Sequence, residues 1–80
     1  MDKAIYSNTY AEFLVWLKEG RTQKGLTIRQ LAFLLGEHTS IIGKIETGHR
    51  RLDVYEYCQY CKVLNLNPTD GLMILYKNKK

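Results

Sequence analysis

Long apolar runs, a cysteine framework and strand-type alternation are all missing from this 80-residue chain, and each absence closes off a class of protein. No stretch approaches the roughly 18 consecutive apolar residues of a membrane span, so no membrane association is expected. The first residues, Met1-Asp2-Lys3-Ala4, lack the apolar core of a signal peptide, and a cytoplasmic protein is expected. Two cysteines, Cys58 and Cys61, are too few for a disulfide scaffold. β-Branched alternation of strand type does not occur, which argues against a sheet. There is no internal repeat, low-complexity tract or long linker, so residues 1–80 are expected to form one domain with frayed tails at 1–7 and 77–80.

Catalytic signatures are equally scarce. No serine, histidine and carboxylate arrangement and no glycine-rich phosphate loop stands out. A chain this short buries only roughly 60–65% of the surface its unfolded form exposes, which leaves little room for a deep cleft beside the core. Neither enzymatic activity nor a cofactor is expected.

What is present is a chain with 45% hydrophobic and 25% charged residues, apolar enough to fold. Twelve Lys and Arg against eight Asp and Glu give a formal charge of +4. That charge suits a soluble small domain and a polyanion-binding one alike, so position decides. His49, Arg50 and Arg51 are consecutive, and Lys77, Lys79 and Lys80 form a basic tail.

Gly25, Gly36, Gly48 and Asn65-Leu66-Asn67-Pro68 divide the chain into helix-sized pieces. Tyr10, Phe13, Leu14 and Leu17 recur at i, i+3, i+4 and i+7 and predict a helix over about 9–24, with Ser7 or Asn8 as N-cap and Gly25 as its stop. A second helix starts at the N-cap Thr27, carries Ile28, Leu31, Leu34 and Leu35 along one side and ends at Gly36. The third runs from Thr39 to Thr47 with Ile42 and Ile45 inward and Gly48 at its end. The fourth, Asp53 to Leu64, is expected to bury Val54, Tyr57, Cys61 and Leu64. The fifth starts at Asn67 with Pro68 in the first helical position and Asp70 in the first turn, where a carboxylate is favourable. The expected fold class is all-α, with five helices in a compact bundle.

Function concentrates between Ile28 and Thr47. Two short helices meet there across a tight corner, which needs a small residue at the approach (Ala32), a turn residue able to reach positive φ (Gly36) and apolar anchors on both sides (Leu31, Leu35, Ile42, Ile45). All are present at the required spacing.

Together with Gly25-Leu26-Thr27, Lys44-Ile45-Glu46-Thr47-Gly48 and Arg50-Arg51-Leu52-Asp53-Val54, this corner resembles the phage-repressor helix-turn-helix family, Cro-like and also called XRE. The resemblance covers nearly the whole chain and implies a lambda-repressor-like five-helix bundle that binds a double-stranded DNA operator as a transcriptional regulator. In that family the third helix enters the major groove by its N-terminal end. Carried over position by position, His38, Thr39, Ser40, Ile41, Gly43 and Lys44 face the bases. Thr27, Arg29, Gln30, His49, Arg50 and Arg51 face phosphates. Arg21 and Glu46 match a structural ion pair between the first helix and the end of the third. Two positions depart from the pattern: Ile28 stands where many relatives carry glutamine, and Glu37 where many carry an apolar residue.

Cys58-Gln-Tyr-Cys61 has the spacing of redox and zinc sites, but it falls inside a predicted helix, and His38 and His49 belong to the DNA face. The expected reading is two buried thiols and no metal. Tyr55, Tyr57 and Tyr60 on the fourth helix, with Leu72, Met73, Leu75 and Tyr76 on the fifth, supply more apolar surface than five short helices need. That surplus is assigned to a homodimer interface, centred on the four residues of the fifth helix. The rival reading from another class is an antitoxin-type module in which the tyrosine-rich surface neutralises a toxin partner while the chain also binds DNA. A repressor acting on a palindromic operator is the favoured one.

Overall fold

The computed structural model describes residues 8–77 and contains helices α1 (Asn8–Gln23), α2 (Ile28–Leu35), α3 (Thr39–Glu46), α4 (Val54–Leu64) and α5 (Pro68–Lys77), with no strand among the described residues. The expected tails 1–7 and 78–80, with Ser7 as a candidate cap, lie outside the described residues, whereas Lys77 closes α5. α2 and α3 form the corner; α1 lies against α3 and α5, and α4 against α2 and α5.

Local chemistry explains where these helices begin and stop. Thr27 and Asp53 each sit in an extended conformation before a helix and build a reciprocal cap. The Thr27 hydroxyl accepts from Gln30 N at 3.0 Å while Gln30 Oε1 accepts from Thr27 N at 2.8 Å. Asp53 accepts from Glu56 N at 2.7 Å and Glu56 Oε1 accepts from Asp53 N at 3.0 Å. Each box satisfies two backbone donors that a helix start otherwise leaves open. At the corner, Gly36 takes φ +69° and its N–H returns to the carbonyls of Ala32 and Phe33, a reversal that a side chain would strain.

The core is built from Phe13, Leu14 and Leu17 of α1, Leu31 and Ala32 of α2, Ile42 and Ile45 of α3, and Tyr57, Tyr60, Cys61 and Leu64 of α4. Several expectations are corrected here. Val54 is 79% exposed rather than buried, because the inward stripe of α4 runs through 57, 60, 61 and 64 and Val54, first in the helix, lies beyond the edge of the core. Cys58 is exposed, since it points off that stripe while Cys61 lies on it. Tyr57 and Tyr60 belong to the core and are not surplus surface. On α2 the inward stripe is Ile28, Leu31, Ala32 and Leu35, which leaves Leu34 52% and Phe33 84% exposed.

Burial pushes the Tyr57 and Tyr60 hydroxyls and the Cys61 thiol up in pKa. Tyr57 donates to the Pro68 carbonyl, tying α4 to the start of α5, and its ring lies tilted at 51° to that of Phe13 with the centroids 5.4 Å apart. Tyr60 Oη is buried without a hydrogen-bond partner.

α5 approaches this aromatic cluster through Gly71. A Cβ there would overlap the Tyr57 hydroxyl and a ring carbon of Trp16 and come within 3.0 Å of Phe13. Alanine has the better helix propensity by roughly 1 kcal/mol, but overpacking a close contact costs about 1–3 kcal/mol, and the clash should win. Gly71→Ala is therefore expected to destabilise the fold by up to about 2 kcal/mol in urea denaturation. An unchanged or raised midpoint would show that α5 is not held this closely.

Candidate nucleic-acid interface

α3 has eight residues, and its helical period splits them cleanly. Ile42 and Ile45 are buried, Ile41 and Glu46 are partly covered, and Thr39, Ser40 and Lys44 are exposed, with Gly43 on the same outward side. Thr47, one turn beyond Gly43, continues this face and is exposed. Ile41, expected to face bases, is half-buried and lines a cleft with Leu35, Glu37, Tyr55 and Gln59. Behind the exposed face, Glu46 receives Arg21 Nε at 2.6 Å and Arg21 Nη2 at 3.0 Å, with only 9% and 6% of the two side chains exposed.

The start of α3 differs from the starts of α2 and α4. Its N-cap, His38, is extended and exposed but makes no side-chain cap bond, unlike Thr27 and Asp53. The free N–H groups of that first turn carry partial positive charge and remain available to an outside acceptor. Gly43, inside the helix, costs about 0.5–1 kcal/mol relative to alanine.

The turn after α3 is ordered from the helix itself. His49 N and Arg50 N donate to the Lys44 carbonyl at 2.8 and 3.2 Å. The Thr47 hydroxyl can donate to the carbonyl of Gly43 at 2.9 Å or of Lys44 at 3.2 Å, and it shares a hydrogen bond with His49 Nδ1 at 2.8 Å. His49 is thereby held by one ring nitrogen beside the outward face of α3.

The expected phosphate contacts divide into two sets. Thr27, Arg29, Gln30, His49 and Arg51 are exposed, although Thr27 and Gln30 already bond each other in the cap of α2. Arg50 is half-buried and engaged: Nη1 and Nη2 meet the two oxygens of Glu56 at 3.1 and 2.9 Å, and Nη1 also donates to the Arg51 carbonyl at 3.2 Å. A guanidinium satisfied this way positions the loop rather than reaching outward. Sequence reasoning passed over Glu56, whose spacing of three from Asp53 is the signal of a capping box. It also passed over Thr47 as the prop of His49.

The apolar residues of α5 separate likewise. Leu72, Met73 and Tyr76 are 52%, 42% and 84% exposed, whereas Leu75 is half-buried against the core. Among the described residues no group of three or more His, Cys, Asp or Glu is placed to hold a metal ion, and no helix is long and apolar enough to cross a membrane.

Residues 17–70 match a family model described as helix-turn-helix, HTH_3. The chain is also similar to a solved structure, an XRE-family like protein from Pseudomonas syringae pv. tomato str. DC3000. The two are 34% identical over 95% of this chain and 93% of that one, with a TM-score of 0.80. No curated protein is significantly similar to the chain.

The Arg50–Glu56 pair makes stability depend on pH in a defined direction. The Arg50 hydrogen bonds, then the Asp53 N–H, hold the Glu56 carboxyl below its ordinary value. A depressed folded-state pKa adds stability above the unfolded value, and that stability is lost as pH falls through the folded one. Both groups are partly exposed, so the effect is small, about 0.5–1 kcal/mol. Glu56→Gln should lower stability by that amount at pH 7, and the gap to the parent should narrow as pH falls below the ordinary carboxylate range. A gap that does not narrow with falling pH would mean that Glu56 acts through its neutral form.

Proposed function

This chain belongs to the XRE-type helix-turn-helix family of DNA-binding transcriptional regulators, and from that premise we propose that it represses transcription as a homodimer on a palindromic operator. The observation that carries the reading is α3: an exposed polar face, Thr39, Ser40 and Lys44, entered from a helix start that no side chain caps. Thr39 and Ser40 hydroxyls donate or accept at base edges, and Lys44 donates to guanine O6 or N7. His38 sits at the leading end of the helix. Arg29, His49 and Arg51 flank it for phosphates. Arg50, bound to Glu56, sets the path of the loop that carries His49 and Arg51.

Phosphate contacts position a protein and base contacts specify sequence, so the two sets of residues differ in mutational signature. Lys44→Ala should cost about 1–3 kcal/mol on the cognate site and relax preference at one or two positions, with little change on scrambled duplex. Arg51→Ala should weaken binding to every sequence by a similar factor and reduce the salt slope by about 1. Titration of both variants against both duplexes at several salt concentrations separates the two. A reversal of these signatures would mean that α3 docks differently.

Leu72, Met73 and Tyr76 on α5 give the dimer its apolar surface, and half-sites one turn of the duplex apart require the two α3 helices to lie about 34 Å from each other. Leu72→Asp with Tyr76→Asp, both at exposed positions, should give folded monomers by sedimentation with weakened affinity for a full site. A variant that still sediments as a dimer moves the interface away from α5.

A further inference from the structure

Cys58 and Cys61 stand three residues apart on α4, and both line one surface groove of about 280 Å³. Lys62, Asn65, Leu66 and Pro68 complete its walls, so the groove runs from the end of α4 to the start of α5. Both thiols are free of any disulfide, with Cys58 exposed and Cys61 buried. Helix geometry decides what such a pair can hold. Residues three apart on a helix have Cβ atoms about 5–6 Å from each other. A disulfide needs them about 3.5–4.5 Å apart and would distort the middle of α4. An ion bonded to both sulfurs demands less, because two metal–sulfur bonds of about 2.3 Å laid in line span about 4.6 Å, within reach of side chains on an intact helix. The number of ligands then selects the ion. Structural zinc takes four, and among the described residues no group of three or more His, Cys, Asp or Glu is placed to hold a metal ion. Monovalent copper is soft, favours thiolates and is satisfied by two of them in line.

We propose that Cys58 and Cys61 together bind one Cu(I) ion as a two-coordinate thiolate pair in this groove. Each thiol gives up its proton to solvent as its copper–sulfur bond forms, and no electron is transferred. The ion with its two thiolates carries a single negative charge. Lys62, one turn along α4 from Cys58 and in the same groove, supplies the opposite charge. Burial, and less strongly the charge of Cys58, push the Cys61 thiol up in pKa. A cation between the two sulfurs offsets both effects, since it attracts each thiolate and screens one from the other. Occupation of the groove requires neither DNA nor a second chain.

The test uses the full, reduced chain under nitrogen, titrated with Cu(I) held by bicinchoninate as a coloured competitor. One ion per chain is expected, with sedimentation and helix content unchanged on loading. Cys58→Ser, at an exposed position, and Cys61→Ser should each weaken binding by more than the roughly 10- to 100-fold that loss of an outer-shell partner costs. Excess Zn(II) should not displace the copper. Affinity should fall as pH falls, because two protons compete with each ion. X-ray absorption of the loaded parent should show two sulfur neighbours and no nitrogen, a readout that stands even where Cys61→Ser fails to fold. The proposal is overturned if Cys58→Ser binds Cu(I) as the parent does, or if one ion is bound per two chains. It is also overturned if Zn(II) displaces the copper, if the ion has a nitrogen neighbour or a single sulfur, or if loading costs helix content.

Discussion

One guanidinium holds α3 in place. Arg21, at the end of α1, gives Nε and Nη2 to Glu46 at the end of α3 and Nη1 to the Leu26 carbonyl at 2.8 Å, just before α2. Three segments of the chain therefore meet on a single side chain that is 9% exposed. A buried ion pair adds little net stability over a well-packed apolar substitute, while removal of one partner strands the other at a cost of about 3–5 kcal/mol. Its value here is directional. Two parallel N–H to oxygen bonds fix both distance and angle, which apolar contacts from Ile42 and Ile45 alone do not.

The remaining polar contacts near α3 extend this arrangement outward. Glu56 closes the cap of α4 and grips Arg50, so the start of α4 and the turn after α3 move as one unit. Thr47 binds back to the helix and supports His49. The basic residues beyond α3 thus comprise a tethered one, Arg50, and two exposed ones, His49 and Arg51, carried by the segment it tethers. This division of labour suits an interface in which backbone contacts must be made at a set distance from base contacts.

Much of the fold was legible in the sequence because its signals are local. Thr27 and Gly36 bracket α2, Pro68 opens α5, and the i, i+3, i+4 spacing of α1 selects Phe13, Leu14 and Leu17, all of which are buried. Where periodicity misled, the cause was the finite size of the core. It shows which side of a helix turns inward but not how far along the helix the core extends, so Val54 was expected inside. Leu34 was placed on the apolar side of α2 by spacing and Cys58 in the core by residue type, although each lies off the stripe that its own neighbours define. The candidate site was legible as a set of positions on α3, whose exposure follows from the same period. The state of Arg50 was not, because the choice between Glu56 and an outside anion depends on a loop geometry that no spacing rule encodes.

The uncapped start of α3 has a thermodynamic consequence. A side-chain cap contributes about 1 kcal/mol to a helix, and α2 and α4 have theirs within the chain while α3 does not. Its first turn is thus the least secured of the three helix starts and opens most readily to solvent exchange. An acceptor seated there would supply the missing bond from outside, and its affinity and the local order of Thr39 to Ile41 would then be one linked equilibrium.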